Sequence, residues 1–363
     1  MPSLLYVTRG PFYPESAGGA ELSSHYLLCA LQRRGWQVEV ACALSTTGSA
    51  LARACRKEMV RLRQVSVTLS DTDLGYPCHR FVTADKAEEI WVEWLERRLA
   101  DRRPDIVVGA PNPYCAMLNA AACHGYPTFY MAHNLAALEV GKPISDAIRV
   151  VANSPATAAR LSSLTPRGIG LVLEMVDPVP YRVLIRERRY ITFVNPIPEK
   201  GVEVALQVAR RLPDAVFLFV KGKWPTITPV AAADFLQPAA ALANVTIWEN
   251  QTDMRPVYAM TDLLLVPSQF FETFGRVILE AHINKIPVVA ASVGGIPYVL
   301  GAGGLLVDPA DDVEAYVTAI QRLRDDHQLY GRMSDAALRN SRRPEFDPET
   351  QVDNFVRFVE SGG

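Results

Sequence analysis

The sequence has no C-x-x-C pair, no metal-ligand spacing among its six cysteines, no internal repeat, no low-complexity tract and no apolar run long enough to cross a bilayer. These absences argue against a zinc module, a repeat array and a membrane-spanning helix. No metal is expected. The first residues run straight into the strand-like Leu4-Leu5-Tyr6-Val7-Thr8 without a basic region and apolar core, so nothing there resembles a signal peptide. With cysteines in neither C-x-x-C nor metal-ligand spacing, this points to a reducing cytoplasm. Neither sign of charge dominates: 37 basic residues stand against 39 acidic ones, which is no nucleic-acid footprint. One local exception, Arg53, Arg56, Lys57, Arg61 and Arg63, reads first as a solvated helix face. Peripheral attachment at the inner face of a membrane stays open as its second reading.

What is present is an ordinary globular composition, 49% apolar and 21% charged, over 363 residues, which is more than one core usually spans. Strand-like runs at Leu4–Thr8, Val38–Ala43, Asp105–Gly109, Thr128–Ala132 and Arg149–Ala152 alternate with amphipathic stretches, among them Glu21–Arg34 and Asp85–Ala100. A second series follows at Tyr190–Val194, Val216–Val220, Val245–Trp248, Asp262–Val266, Pro287–Ala290 and Gly304–Val307. Such alternation predicts α/β architecture with two doubly wound parallel sheets. Asp177-Pro178-Val179-Pro180 and the charged Arg186–Arg189 run read as the connection, giving domains 1–176 and 177–345 and a last helix in 346–363 that could pack back on the first domain.

The chemistry concentrates in Glu272-Thr273-Phe274-Gly275-Arg276-Val277-Ile278-Leu279-Glu280. A buried strand ending at Pro267-Ser268 precedes it, and helical periodicity follows, so Gly275 falls at a helix N-terminus. Unpaired N–H groups and the helix dipole attract phosphate there, and a residue without Cβ lets a diphosphate come close. Glu272 can accept hydrogen bonds from sugar hydroxyls. Glu280, about a turn and a half further on, can accept both hydroxyls of a ribose. The bland alternative is an amphipathic helix with two solvated glutamates. Gly18-Gly19-Ala20-Glu21 opens a helix after the first strand, Lys200-Gly201 follows the first strand of the second half, and His133 ends a strand of the first half. Each of these alone is a weak signal.

Together, with Val151-Ala152-Asn153-Ser154 and Val293-Gly294-Gly295-Ile296-Pro297, they match one family in order and spacing. The chain resembles the family 4 glycosyltransferases of the GT-B fold over nearly its whole length. The resemblance implies two Rossmann-like domains facing across a cleft, and a metal-independent transfer of a hexosyl or N-acetylhexosaminyl group from a nucleotide-sugar to an acceptor hydroxyl, with retention. It implies donor contacts at Gly18, Gly19, Asn195, Lys200, Thr273, Phe274, Gly275 and Arg276, with the diphosphate at Gly19, Lys200 and the helix starting near Gly275, ribose contact at Glu280, sugar contact at Glu272, and His133 beside the sugar. Lys200, Glu272 and His133 carry the catalytic expectation. No cofactor is implied, since the nucleotide-sugar is a co-substrate. A UDP-sugar is favoured, with GDP-mannose second; the acceptor is open among a lipid-linked sugar, a glycan and a small aglycone. Loops near Arg9–Ser16 and between Ser70 and Arg80 are expected to choose it.

Three positions depart from the family pattern. Asn195 stands where an arginine is usual, Tyr298 where a glutamate is frequent, and Thr273 where glycine is common. The first removes a cation from the diphosphate site; Arg276, Lys221 and Lys223 are the candidates to replace it, each otherwise expected to be solvated. A sugar-nucleotide epimerase of the same architecture and a non-catalytic nucleotide-sugar-binding member remain the rival readings.

Overall fold

The computed structural model describes residues 1–361 apart from 17, 45–49, 65, 84–87, 111–114, 136–143, 164, 166–167 and 223–228. The chain divides into two compact units, Met1–Met175 with Gln351–Gly363, and Val176–Thr350.

The first unit is an eight-stranded sheet of β1 (Ser3–Pro11), β2 (Gln37–Ala43), β3 (Ser66–Asp71), β4 (Cys78–Thr83), β5 (Ile106–Gly109), β6 (Thr128–Ala132), β7 (Arg149–Ala152) and β8 (Ile169–Leu171). Their order is β3-β4-β2-β1-β5-β6-β7-β8, and every neighbouring pair is parallel except β3 with β4. The chain leaves β1 toward β2 and later returns on its other side at β5, which makes the β1/β5 edge a topological switch point. Apolar runs such as Val150-Val151-Ala152 are buried on both faces, as helices covering a parallel sheet require. The helix Gly19–Arg33 buries Leu27, Leu28 and Leu31, and Gly35 ends it at φ +86°, a conformation glycine adopts without strain. The loop expected between Ser70 and Arg80 is the 72–77 connection of a β3/β4 hairpin, braced by Arg80 Nε–H donating to Asp71 at 2.8 Å and Trp94 Nε1–H donating to Thr68 at 2.9 Å. Its Ser, Thr and Asp content hid it: β3 is only partly buried and lacks the apolar run that marks the central strands.

The C-terminal helix Pro348–Glu360 belongs from Gln351 onward to this first unit. Val352 and Phe355 are fully buried in its core. The ring of Phe358 occupies the space a Cβ at Gly170 would need, 2.7 Å away, and lies 3.9 Å under the Arg149 guanidinium.

The second unit is a six-stranded, wholly parallel sheet: β9 (Tyr190–Val194), β10 (Phe217–Val220), β11 (Val245–Trp248), β12 (Thr261–Val266), β13 (Val288–Ala291) and β14 (Gly304–Val307). The order β11-β10-β9-β12-β13-β14 is that of a dinucleotide-binding Rossmann sheet, with its switch point between β9 and β12. The helix Val202–Arg211 lays Val202, Ala205, Leu206, Val208 and Ala209 against Phe217 and Phe219. Among the described residues no helix is long and apolar enough to cross a membrane.

Candidate active site

Three loops leave the carboxyl ends of β9, β12 and β13, neighbours in the second sheet, and touch backbone to backbone. The first runs from Asn195 through the turn Pro198–Lys200 to Gly201. Asn195 sits at φ +63°, a region that Asn tolerates better than most side chains, and Gly201 at φ +83°. A Cβ on Gly201 would lie 1.9 Å from the Pro267 carbonyl oxygen at the end of β12. Only glycine fits there. Gln269 N–H then donates to Glu199 O at 2.9 Å, tying the β9 and β12 loops together. From the other side Gly295 N–H donates to Glu272 O at 2.7 Å, and Cβ atoms on Gly294 and Gly295 would meet the carbonyl oxygens of Glu272 and Thr273 at 2.1 and 2.3 Å. The Gly-Gly of Val293–Pro297 thus serves to seat the backbone of the Glu272 loop.

This clamp brings Lys200 and Glu272 into an ion pair, 27% and 12% exposed. Lys200 Nζ also lies 4.8 Å from the centre of the Phe270 ring. Beside them the helix Arg276–Ile283 begins at Gly275, φ +89°, which offers no side chain to cap its first N–H groups. Thr273 and Phe274 are buried under the loop, Phe274 edge-on to Phe346 at 6.1 Å. The arrangement combines a cation, a carboxylate and a positive helix end, a set suited to a phosphate carrying a hydroxylated group.

Neither glutamate of the motif is solvated. Glu280 is buried, accepting from Tyr258 O–H at 2.6 Å and from Arg276 Nε–H at 2.9 Å, while Arg276 Nη2 also donates to Tyr181 at 3.1 Å. Burial pushes its carboxyl group up; the Arg276 charge and the Tyr258 hydrogen bond oppose that. Ribose hydroxyls would share oxygens that these partners already hold. Arg276, expected to be solvated, is only 8% exposed and committed to Glu280, so it is no spare cation for the missing arginine. Lys221 pairs with Glu249 at 2.6 Å instead of standing free in solvent, and Lys223 lies outside the described residues. Tyr298, at the position where a glutamate is frequent, has its ring under the Arg343 guanidinium at 4.9 Å.

In the first unit the expected residues gather at the switch point. His133 follows β6 and lines a cavity of about 40 Å³ with Tyr6, Thr8, Glu21 and Asn134. Gly18 caps the helix that starts at Gly19, and Glu21 folds back over it, its Oε2 2.6 Å from where a Gly18 Cβ would be. That places a carboxylate at the N-terminus expected to receive phosphate. The His133 side chain is only 4% exposed, with Nδ1 2.7 Å from Glu174 Oε1 and Nε2 3.1 Å from Ser24 Oγ. Glu174, Ser24, Tyr258 and Tyr181 were not singled out in the sequence. Glu174, in Leu171–Met175, carried one usable signal: a carboxylate inside an apolar segment is rarely buried without a partner. Among the described residues no three His, Cys, Asp or Glu side chains gather as metal ligands.

Comparison with known proteins agrees with this architecture. Residues 17–168 match the family model described as Glycosyltransferase Family 4, and residues 188–326 match Glycosyl transferases group 1. Curated relatives include the D-inositol 3-phosphate glycosyltransferase of Mycobacterium marinum, 29% identical over 255 residues that cover 64% of this chain and 53% of the relative. That of Corynebacterium glutamicum is 31% identical over 205 residues, 50% of this chain and 48% of the relative. The chain therefore spans about half the length of the curated relatives it matches. Among solved structures, sucrose-phosphate synthase from Thermosynechococcus elongatus superposes with a TM-score of 0.79 at 17% identity, covering 99% of both chains. Anabaena HepE in complex with UDP-glucose gives 0.76 at 17% identity, again over 99% of both. With one family model on each unit and GT-B enzymes as structural neighbours, the chain belongs to the glycosyltransferases of the family 4 type.

Proposed function

We infer that the protein is a retaining glycosyltransferase that moves a hexosyl or N-acetylhexosaminyl group from a UDP-sugar to an acceptor hydroxyl, without a metal. The observation that carries this reading is the Lys200–Glu272 pair, clamped by Gly201, Gly294 and Gly295 beside the N-terminus at Gly275. Lys200 and the helix end stabilise charge on the departing diphosphate, a preorganised electrostatic contribution. Donor binding draws Lys200 from Glu272 toward the phosphate, and the released carboxylate accepts the hydroxyls of the transferred sugar. In this scheme the leaving phosphate oxygen takes the acceptor proton on the face where the new bond forms, so no protein base is required. Glu280 holds the ribose by sharing the oxygens now held by Tyr258 and Arg276. His133 and its cavity receive a sugar hydroxyl in the first unit.

A panel of UDP-, GDP- and ADP-sugars, followed by nucleotide diphosphate release with glycan, lipid-linked and small-molecule acceptors, tests this. Release dependent on acceptor, greatest with a UDP-sugar and unaffected by chelator, is the expected result. Tight donor binding without turnover would favour a non-catalytic member, and interconversion of donor epimers would favour an epimerase.

A further inference from the structure

His133 stands where two lines of hydrogen bonds meet. Tyr6 O–H donates to Ser24 Oγ at 2.9 Å, and Ser24 Oγ lies 3.1 Å from His133 Nε2, which receives the Ser24 proton when the ring is protonated at Nδ1. From the other side Thr157 N–H donates to Ser154 Oγ, Ser154 O–H to Thr157 Oγ1 at 3.0 Å, and Thr157 O–H to Asn153 Oδ1 at 3.1 Å. That settles the Asn153 amide, whose Nδ2–H donates to Glu174 Oε1 at 2.8 Å. His133 Nδ1 lies 2.7 Å from the same oxygen. Both lines of donors end on Glu174, the one group here that accepts and, when ionised, never donates.

We propose that Glu174 is a positioning residue that fixes His133 as the Nδ1-protonated neutral tautomer, so that Nε2 faces its partner as a hydrogen-bond acceptor. The three side chains come from the ends of adjacent strands: His133 after β6, Asn153 after β7 and Glu174 after β8. Glu174 is itself held by its backbone neighbours. Leu173 N–H donates to Gln351 Oε1 at 2.8 Å, from the C-terminal helix, and Met175 N–H to Ser23 Oγ at 2.9 Å. The Val151–Ser154 motif thereby acquires a task, which is to orient the carboxylate that orients the histidine. Desolvation strengthens each contact, as Glu174, Asn153, Ser154 and Ser24 are all at most 5% exposed. The same burial argues against reading Ser24–His133–Glu174 as a nucleophilic triad, because Ser24, at 1% exposed, meets no substrate carbonyl.

A consequence for ligand chemistry follows, resting on the role given to His133 above. A sugar hydroxyl that reaches Nε2 from the cavity must donate its proton to that nitrogen. Sugars whose hydroxyl there is methylated or exchanged for fluorine lose the contact, whereas a deprotonated or purely accepting group is refused.

The test reads the tautomer directly, independent of turnover. Long-range 1H–15N correlation spectra of histidine-labelled protein, with His133→Gln used to assign the ring, are expected to show the Nδ1-protonated form in the unmodified protein. Glu174→Gln, which preserves size and removes the obligate acceptor, shifts the ring toward the Nε2-protonated form. In nucleotide-sugar turnover Glu174→Gln lowers kcat/KM about tenfold, and has less than about a twofold further effect in a His133→Ala background. An Nε2-protonated ring in the unmodified protein overturns the proposal, whether or not the variant folds. Equal losses from Glu174→Gln in both backgrounds overturn it too. If no donor is turned over but the tautomer is as stated, the transferase reading fails and the positioning role stands.

Discussion

The two units share a layout and fill it differently. Each places its polar residues past the carboxyl ends of strands: β6, β7 and β8 in the first unit, and β9 and β12, which flank the switch point, in the second. In the first, Tyr6, Ser24, His133, Glu174, Asn153 and Thr157 are joined side chain to side chain in one hydrogen-bonded network. In the second, glycines bring three loops into backbone contact and leave Lys200 and Glu272 partly open to solvent. A connected network of buried side chains orients a group, while an incompletely desolvated ion pair on a rigid clamp can exchange partners with an incoming phosphate. Under the proposed function, this contrast divides the labour between orientation in one unit and charge reception in the other.

The largest expected effect probes the buried exception within the second unit. Glu280→Ala leaves the Arg276 guanidinium buried without its carboxylate, and stability should fall by about 3–5 kcal/mol, read as a lower urea midpoint. Loss confined to donor binding, with stability unchanged, would make Glu280 a plain ligand contact. Next, Gly201→Ala should cost about 3 kcal/mol, because its Cβ meets backbone at 1.9 Å. The same change at Gly168, whose φ is also positive but which has nothing within 4 Å, should cost only about 1 kcal/mol. Equal costs at the two sites would dissolve the claim that glycines build the clamp.

A smaller effect follows from His282, fully buried in the second unit with Asn340 Nδ2–H donating to its Nδ1 at 3.0 Å. Burial pushes its pKa from 6.5 down to about 3. The unfolded chain binds a proton there that the folded one refuses, so stability is full above pH 6.5 and is lost as pH falls from 6.5 toward 3. Between pH 7 and 5 the loss is about 2 kcal/mol. Denaturant midpoints at both pH values check this, and His282→Gln should remove the difference. The smallest effect on folding belongs to Lys200→Ala: the partly exposed pair contributes at most about 1 kcal/mol, so activity should collapse while the midpoint scarcely moves.

Much of this was legible in the sequence, for identifiable reasons. Strands buried on both faces announce themselves as apolar runs, and β6, β7 and β9 lie at the residues where those runs fall; β11 and β14, only partly buried edge strands, also lie where their runs were expected. Gly275 was readable as a helix start because periodicity changes there. The β3/β4 hairpin was not, since a partly exposed edge strand rich in Ser and Thr has no such run. Glu174 stayed hidden because its partners lie 21 and 41 residues away, and nothing local records a hydrogen bond made between strand ends. The true setting of Glu280 was equally invisible: eight-residue spacing cannot tell a carboxylate facing solvent from one held by Tyr258 of a preceding helix.

Titration calorimetry with UDP against the unmodified protein and Lys200→Ala tests the central claim most directly. The account predicts measurable binding that weakens about tenfold or more in the variant while its urea midpoint is preserved. Binding of equal strength in the two proteins would contradict it.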